Sequence, residues 1–468
     1  MQTWFCDLSP NSSKSFFGVM GRRPVVFSSQ RSGMSVSAVS QSLILLLSAS
    51  AVIAGFSPEE GDQVNRFQQY LRIRTAHPNP DYAGAVSFLS VQAVSIGLQT
   101  LTLEFSPGKP LLLLSWHGSD PSLSSILLNS HLDSVPAEPS RWIHPPFSAY
   151  RDADGRIFAR GAQDDKCIAI QYLEALRNLK ARRFSPLRSI HLSFVPDEEI
   201  GGADGNEKFV ASGHFRDLKV GFVLDEGQAS LTEEFRVFYA DRLPWSLIVN
   251  AAGAPGHGSK MYDGSAMENL MECMEAVARF RDSQFDLVKA GVRAGSEVIS
   301  LNPVYMRAGT STSKGFVMNM QPSEAEVGFD LRLPPAEDLD VLRKRIEEEW
   351  APTSRNMTHQ LIQKGPNRDI AGLPLVTPTN ASNPWWTVFE QAISASGGKL
   401  RKPEILSSTT DARFMRQMGI PTLGFSPMTD TPILLHDDNE FLKDTTFLNG
   451  IKVYENVISS LSSFRTAT

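Results

Sequence analysis

From Ser57 onward, short apolar runs alternate with segments whose apolar residues recur at helical spacing. Ser57-Pro58-Glu59-Glu60 supplies an N-cap serine, a proline at the first helical position and a glutamate at the third, ahead of Val64, Phe67 and Leu71. That pattern starts a surface helix. A second helix is predicted over Tyr82 to Ile96 and another over Cys167 to Lys180. Around them, Pro110 to Trp116, Ser125 to Asn129, Ser189 to Val195 and Val220 to Leu224 read as strands. Strands alternating with helices predict an α/β fold, a mixed sheet flanked by helices.

The texture changes near Asp241. Leu247-Ile248-Val249, a helical stretch from Ala266 to Phe280, strands near Val304 and over Ala325 to Leu333, a helix from Leu339 to Trp350 and a strand from His359 to Gln363 make a self-contained βαββαβ unit. From Gly365 the first pattern resumes, with a helix over Trp386 to Ala395 and a strand at Thr422-Leu423-Gly424-Phe425. The expected organisation is an N-terminal extension (1–56), a catalytic domain in two parts (57–240 and 365–468), and an inserted α+β unit (241–364). At 468 residues two domains are also the default, because a single core rarely serves so long a chain.

Composition removes some alternatives. A net charge of -6 leaves no basic face for nucleic acid. Only Cys6, Cys167 and Cys273 occur, so neither a disulfide framework nor a cysteine zinc motif is available, and any metal must be held by His and carboxylate. Leu43 to Phe56 is an apolar run preceded by Arg22, Arg23 and Arg31 and containing Ala49-Ser50-Ala51. It reads as a signal peptide and predicts the secretory pathway, with an uncleaved anchor or a cytoplasmic protein as the alternatives. A start at Met34 would leave the leader without basic residues. Sequons at Asn356 and Asn380 support secretion slightly.

The candidate chemistry lies just after the strand-like runs, where open α/β sheets carry their sites. Glu198-Glu199 follow Phe194-Val195 and precede Gly201-Gly202. Two adjacent carboxylates in that setting are costly unless a cation holds them. His131, Asp164, Glu199, Glu226 and His436 together suit two metal ions sharing one carboxylate. Asp133, two residues from His131, faces the same way and can orient the imidazole. Glu198 suits a general base. Taken singly, His131 reads as a strand-end histidine, Glu198-Glu199 as a solvated turn, and Asp164-Asp165 as an N-cap for a helix beginning at Lys166. His77, His117, His144, His191, His214 and His359 lack such a context and read as structural or surface residues, and Cys167 and Cys273 as buried and inert.

The motifs Ser130-His131-Leu132-Asp133, Ala159 to Asp164, Asp197 to Gly202, Leu224 to Gly227, Pro255-Gly256-His257, Gly424 to Met428 and Leu434 to Asp437 resemble those of the aminoacylases, in the dinuclear-zinc M20 amidohydrolase family. The resemblance covers essentially everything after Ser57. It implies a zinc-peptidase-like catalytic domain with two zinc ions per subunit, bridged by Asp164. One would be held by His131, Asp164 and Glu226, the other by Asp164, Glu199 and His436, with Asp133 and Glu198 as catalytic residues. It further implies that the inserted unit is a lid and a homodimer interface. His257 would then serve the partner's site, and Asn319, Arg332 and Arg413 would bind the N-acyl amino acid. The implied activity is zinc-dependent hydrolysis of N-acyl-L-amino acids to a carboxylate and a free L-amino acid, Glu198 taking the proton from water. Carboxypeptidase or dipeptidase activity, or a non-catalytic scaffold, are the rivals. Asp165 stands where aminoacylases commonly have Met, and is expected to add negative charge beside the metals.

Overall fold

The computed structural model describes residues 56–465. The leader expected from Leu43 to Phe56 lies outside the described residues, apart from Phe56. Among the described residues no helix is long and apolar enough to cross a membrane. The first helix, Pro58–Leu71, begins with the capping arrangement read from its residues. Ser57 Oγ accepts from the Glu60 amide at 3.2 Å, and the Ser57 amide donates to Glu60 Oε2 at 3.0 Å.

An eight-stranded mixed sheet follows the spatial order Gln99–Ser106, Lys109–Trp116, Ile190–Val195, Ser125–His131, Val220–Asp225, Thr422–Gly424, Phe238–Asp241, Glu404–Leu406. The four strands from Ile190–Val195 to Thr422–Gly424 run parallel, and antiparallel strands flank them. Ser125–His131 and Ile190–Val195 are buried along their whole length, as expected of parallel strands covered on both faces. On one face Leu127, Val195 and Val223 pack with Phe209, Phe215, Phe414 and Met415. On the other, the helices Lys166–Ala181 and Asp444–Ser463 pack together and against Ser125–His131. Polar residues inside the sheet are paired across strands: Asn129 Nδ2 donates to Asp225 Oδ1 at 2.9 Å, and Ser193 Oγ donates to Asn129 Oδ1.

Residues 243–363 form a second, four-stranded antiparallel sheet in the order Ser300–Ala308, Glu324–Leu333, Leu243–Ala252, Met357–Gln363. Leu243–Ala252 alternates buried and part-exposed positions, the pattern of a sheet covered on one face. Its core joins Trp245, Leu247 and Val249 to Leu270 and Val277 of the helix Ala266–Lys289, and to Ile346 and Trp350.

Several elements differ from the sequence expectation. The helix starting at Ala266 continues to Lys289 rather than stopping at Phe280. The helix from Leu339 is α-helical only to Arg345 and finishes as a wider π turn over Ile346–Trp350. The strand Gln99–Ser106 and the helix Asp444–Ser463 were not expected at all. That last helix carries Thr445, Thr446, Gly450, Val453 and Val457, all of modest or poor intrinsic propensity, and it is held by burial instead. At Gly450 a Cβ would lie 2.1 Å from Gln171 Nε2, so glycine permits the close approach to Lys166–Ala181.

Candidate metal centre

The carboxyl ends of the parallel strands deliver the polar residues. Ser125–His131 ends in His131, Ile190–Val195 runs into Asp197 to Glu199, and Val220–Asp225 into Glu226. Asp164 comes from the loop before Lys166–Ala181, and His436 from a loop late in the chain. Asp164 lies between the two imidazoles, Oδ1 at 3.0 Å from His131 Nε2 and Oδ2 at 3.2 Å from His436 Nε2. His436 Nε2 is also 3.0 Å from Glu199 Oε2, and His131 Nε2 is 3.6 Å from Glu226 Oε2. The structure thus brings all five candidate ligands together. His131 turns Nδ1 to the Asp133 carbonyl at 3.0 Å, which leaves Nε2 facing the cluster.

The electrostatics ask for cations. Burial, reinforced by Asp164, pushes Glu226 well above and Glu199 above the ordinary carboxylate range, and burial with the Glu226 charge does the same to Glu198. The bonds to Asp164 and Glu199 hold the His436 imidazole up at about 10. Ligand atoms of His131, Asp164 and Glu199 lie within 4.8 Å of one another, and so do those of His131, Asp165 and Glu226. Imidazole nitrogen with carboxylate oxygen is a donor set for divalent transition metals, and the residues present fit such ions.

One expectation needs correction, and the structure places three further residues. Asp165 stands at the N-cap position of Lys166–Ala181 but makes no side-chain cap. It is buried, accepts from Ser130 Oγ at 3.1 Å and from the His131 amide at 3.2 Å, and burial pushes its carboxyl up to about 7. Its carboxyl therefore ties down the end of the His131 strand, where it still lies beside His131 and Glu226. His77, read as structural or surface, donates to Asp133 Oδ2 at 2.8 Å. His257 and Asn319 do not line the cavity that contains Glu198. They are exposed and adjoin each other, the Gly258 amide donating to the Asn319 carbonyl at 2.7 Å.

Asp164, Glu198, Glu199, Glu226 and His436 line a cavity of about 830 Å³, and Arg332, Arg413 and Lys364 line it too. Arg332 is paired with Asp330 at 2.9 Å. Arg413 donates to the Gly201 carbonyl at 2.7 Å. Gly201 and Gly202 both have positive φ, and a Cβ on Gly202 would lie 2.4 Å from the buried Asp411 Oδ1. Positive φ at both positions, and that approach at Gly202, account for the Gly-Gly turn.

Sequence reasoning missed Glu440. It is fully buried and accepts from Arg160 Nη1 at 2.9 Å, from the Gly161 amide at 3.0 Å and from the Gln163 amide at 2.6 Å. Arg160 also donates to the Asp437 carbonyl at 3.1 Å. This clasp joins the Asp164 loop to the His436 loop. No spacing signal marks Glu440, because its partners are mostly backbone amides far away in sequence. Glu440→Gln is expected to destabilise the fold by about 1–3 kcal/mol, because an amide group would face amide donors and Arg160 would lose its counter-charge. Thermal denaturation checks this, and an unchanged Tm would remove the clasp from the account.

The family model "Peptidase family M20/M25/M40" matches residues 127–460. The chain belongs to this M20 family. Aminoacylase-1 of Mus musculus is 41% identical over 409 residues, covering 87% of this chain and 97% of the mouse protein. Aminoacylase-1 of Dictyostelium discoideum is 40% identical over 413 residues, covering 86% and 98%. Among solved structures, the Bacillus subtilis YXEP protein, a dinuclear metal binding peptidase from the M20 family, matches with a TM-score of 0.62 at 12% identity, covering 86% of this chain and 98% of that one. The large mixed sheet with flanking helices is thus an M20 fold, and the M20 model spans His131, Asp164, Glu199, Glu226 and His436 alike.

Proposed function

We propose that the protein hydrolyses N-acyl-L-amino acids to a carboxylate and a free L-amino acid, with two zinc ions held by His131, Asp164, Glu199, Glu226 and His436. The observation that carries this reading is Asp164, one imidazole at each of its oxygens, in a cavity that also holds Arg332 and Arg413. The aminoacylase-1 relatives, 40–41% identical over nearly their whole length, support the substrate class. When bound, zinc supplies Lewis acidity that polarises the scissile carbonyl and acidifies water.

The chain's own residues carry the remaining steps. Glu198 lines the cavity without being one of the five ligands, and it accepts the proton of the attacking water and passes it to the leaving amine. Asp133 is fully buried beneath it and holds the Glu198 and Glu199 amides at 3.1 Å each. Arg332 and Arg413 bind the substrate's anionic groups by charge-assisted hydrogen bonds. Arg413 Nε has no acceptor among the described residues. The scheme includes a homodimer through residues 241–364, in which His257 of the partner subunit completes each site, and Asn319 of the same inserted unit helps hold the substrate. The exposed Met261, Phe316 and Met318, on the same surface unit as His257, supply apolar area suited to burial by a second copy.

The rival keeps the metals and changes the substrate, as in a dipeptidase or carboxypeptidase. On zinc-loaded protein, N-acetyl-methionine is expected to be cleaved with kcat/KM at least about 10-fold above that of a matched dipeptide, a gap of the size pocket contacts commonly produce. The reverse preference overturns the aminoacylase reading. Metal analysis is expected to return about two zinc ions per chain under the two-metal scheme.

A further inference from the structure

Asp133 connects the end of the strand Ser125–His131 to the turn that carries Glu198 and Glu199. Its Oδ1 accepts the Glu198 amide and its Oδ2 the Glu199 amide. A third donor comes from a separate part of the chain: His77 Nε2 lies 2.8 Å from Asp133 Oδ2. Both oxygens of Asp133 thus accept backbone amides, and His77 adds its Nε2–H as a further donor to Oδ2.

The ring is not free to turn away. The His77 amide donates to the Ser134 carbonyl at 3.0 Å and the Ser134 amide to the Thr75 carbonyl at 3.0 Å, which pins the segment around His77 to the residues just past Asp133. Ligand atoms of His77, Asp133 and Asp197 lie within 4.8 Å of one another, a grouping that could suggest a further metal. The cation there is already supplied, because the Lys109 ammonium lies against Asp197, which also accepts from the Tyr82 hydroxyl at 2.6 Å. The cluster is a buttress behind the site.

We propose that His77 is a positioning residue for the hydrolysis: its Nε2–H fixes the Asp133 carboxylate and thereby the placement of Glu198 and of the candidate ligand Glu199. His77 touches no reacting atom. The inference rests on the hydrolytic reading above, and the wild-type protein separates the two: no turnover of any amide fails that reading, whereas an active wild type leaves His77 to be judged by its variants.

His77→Leu removes the donor, and His77→Gln offers an amide N–H toward the same oxygen. For the leucine variant, kcat is expected to fall on the order of 10- to 100-fold, the usual loss when a group behind a metal site is removed, with KM nearly unchanged. Zinc release to a chelator is expected to be faster. His77→Gln is expected to restore both readouts to within about 3-fold of wild type, since the hydrogen bond rather than the ring is what matters. His77→Ser, too short to reach Asp133, carries the leucine prediction if the leucine variant does not fold. Wild-type kcat and zinc release in the donor-less variants, or a glutamine variant as impaired as they are, would overturn the proposal.

Discussion

Glu198→Gln is expected to lower kcat by about 10²- to 10⁴-fold, the contribution of a positioned general base, while zinc content stays at the wild-type level. The amide matches the carboxylate in shape, so the loss isolates proton acceptance. Metal binding should survive because Glu198 is not among the five clustered ligands, and because the Asp133 carboxylate holds the backbone amides of residues 198 and 199, which the substitution leaves alone. The Tm should stay close to wild type or rise slightly. Burial and the neighbouring Glu226 charge work against ionised Glu198, and a neutral side chain relieves that conflict. Steady-state kinetics with metal analysis decide the matter. If more than about a tenth of kcat survives, the base lies elsewhere, since general-base losses start near 10²-fold.

His257→Ala is expected to lower kcat by on the order of 10²- to 10³-fold, as for the loss of one donor to a developing oxyanion. The effect would be puzzling in a single chain. His257 sits on the short strand Gly256–His257, paired with Met320–Gln321, its Nδ1 bonded to Ser259 Oγ at 2.7 Å, and it does not line the cavity containing Glu198. In the proposed dimer each chain would lend its histidine to the other. Mixing inactive His257→Ala with inactive Glu198→Gln should then regenerate activity. Random exchange makes half the dimers mixed, each with one complete site, so about a quarter of the wild-type rate is expected. Subunits that exchange, as followed by tagged pull-down, yet stay inactive would reject the arrangement.

Much of the catalytic sheet was legible because its strands are uninterrupted apolar runs, and the five clustered side chains because each directly follows such a run or sits in a short acidic or histidine motif. His77 was not legible. Its partner is 56 positions away, the contact depends on how the segment around Ala76 docks beside Ser134, and nothing local distinguishes it from a surface histidine. Glu440 escaped for a similar reason, since its acceptor work is directed at backbone amides, which have no residue-type signature. Asp165 was misjudged because adjacent acids before a helix usually cap it, whereas here its carboxyl accepts from Ser130 and the His131 amide at the end of a strand. The helix Asp444–Ser463 was missed because weak intrinsic propensity concealed an element that tertiary burial sustains.

The Arg160–Glu440 clasp also has a meaning for biosynthesis. Residues that meet at it are separated by 280 positions, and the strand Phe441–Lys443 beyond it pairs with Arg156–Phe158. A nascent chain emerging from the ribosome carries His131, Asp164, Glu199 and Glu226 long before His436 and Glu440 arrive. Until then the Asp164 loop lacks its clasp and the cluster lacks one imidazole. A product that ends before His436 therefore lacks one of the five candidate ligands as well as the clasp on the Asp164 loop.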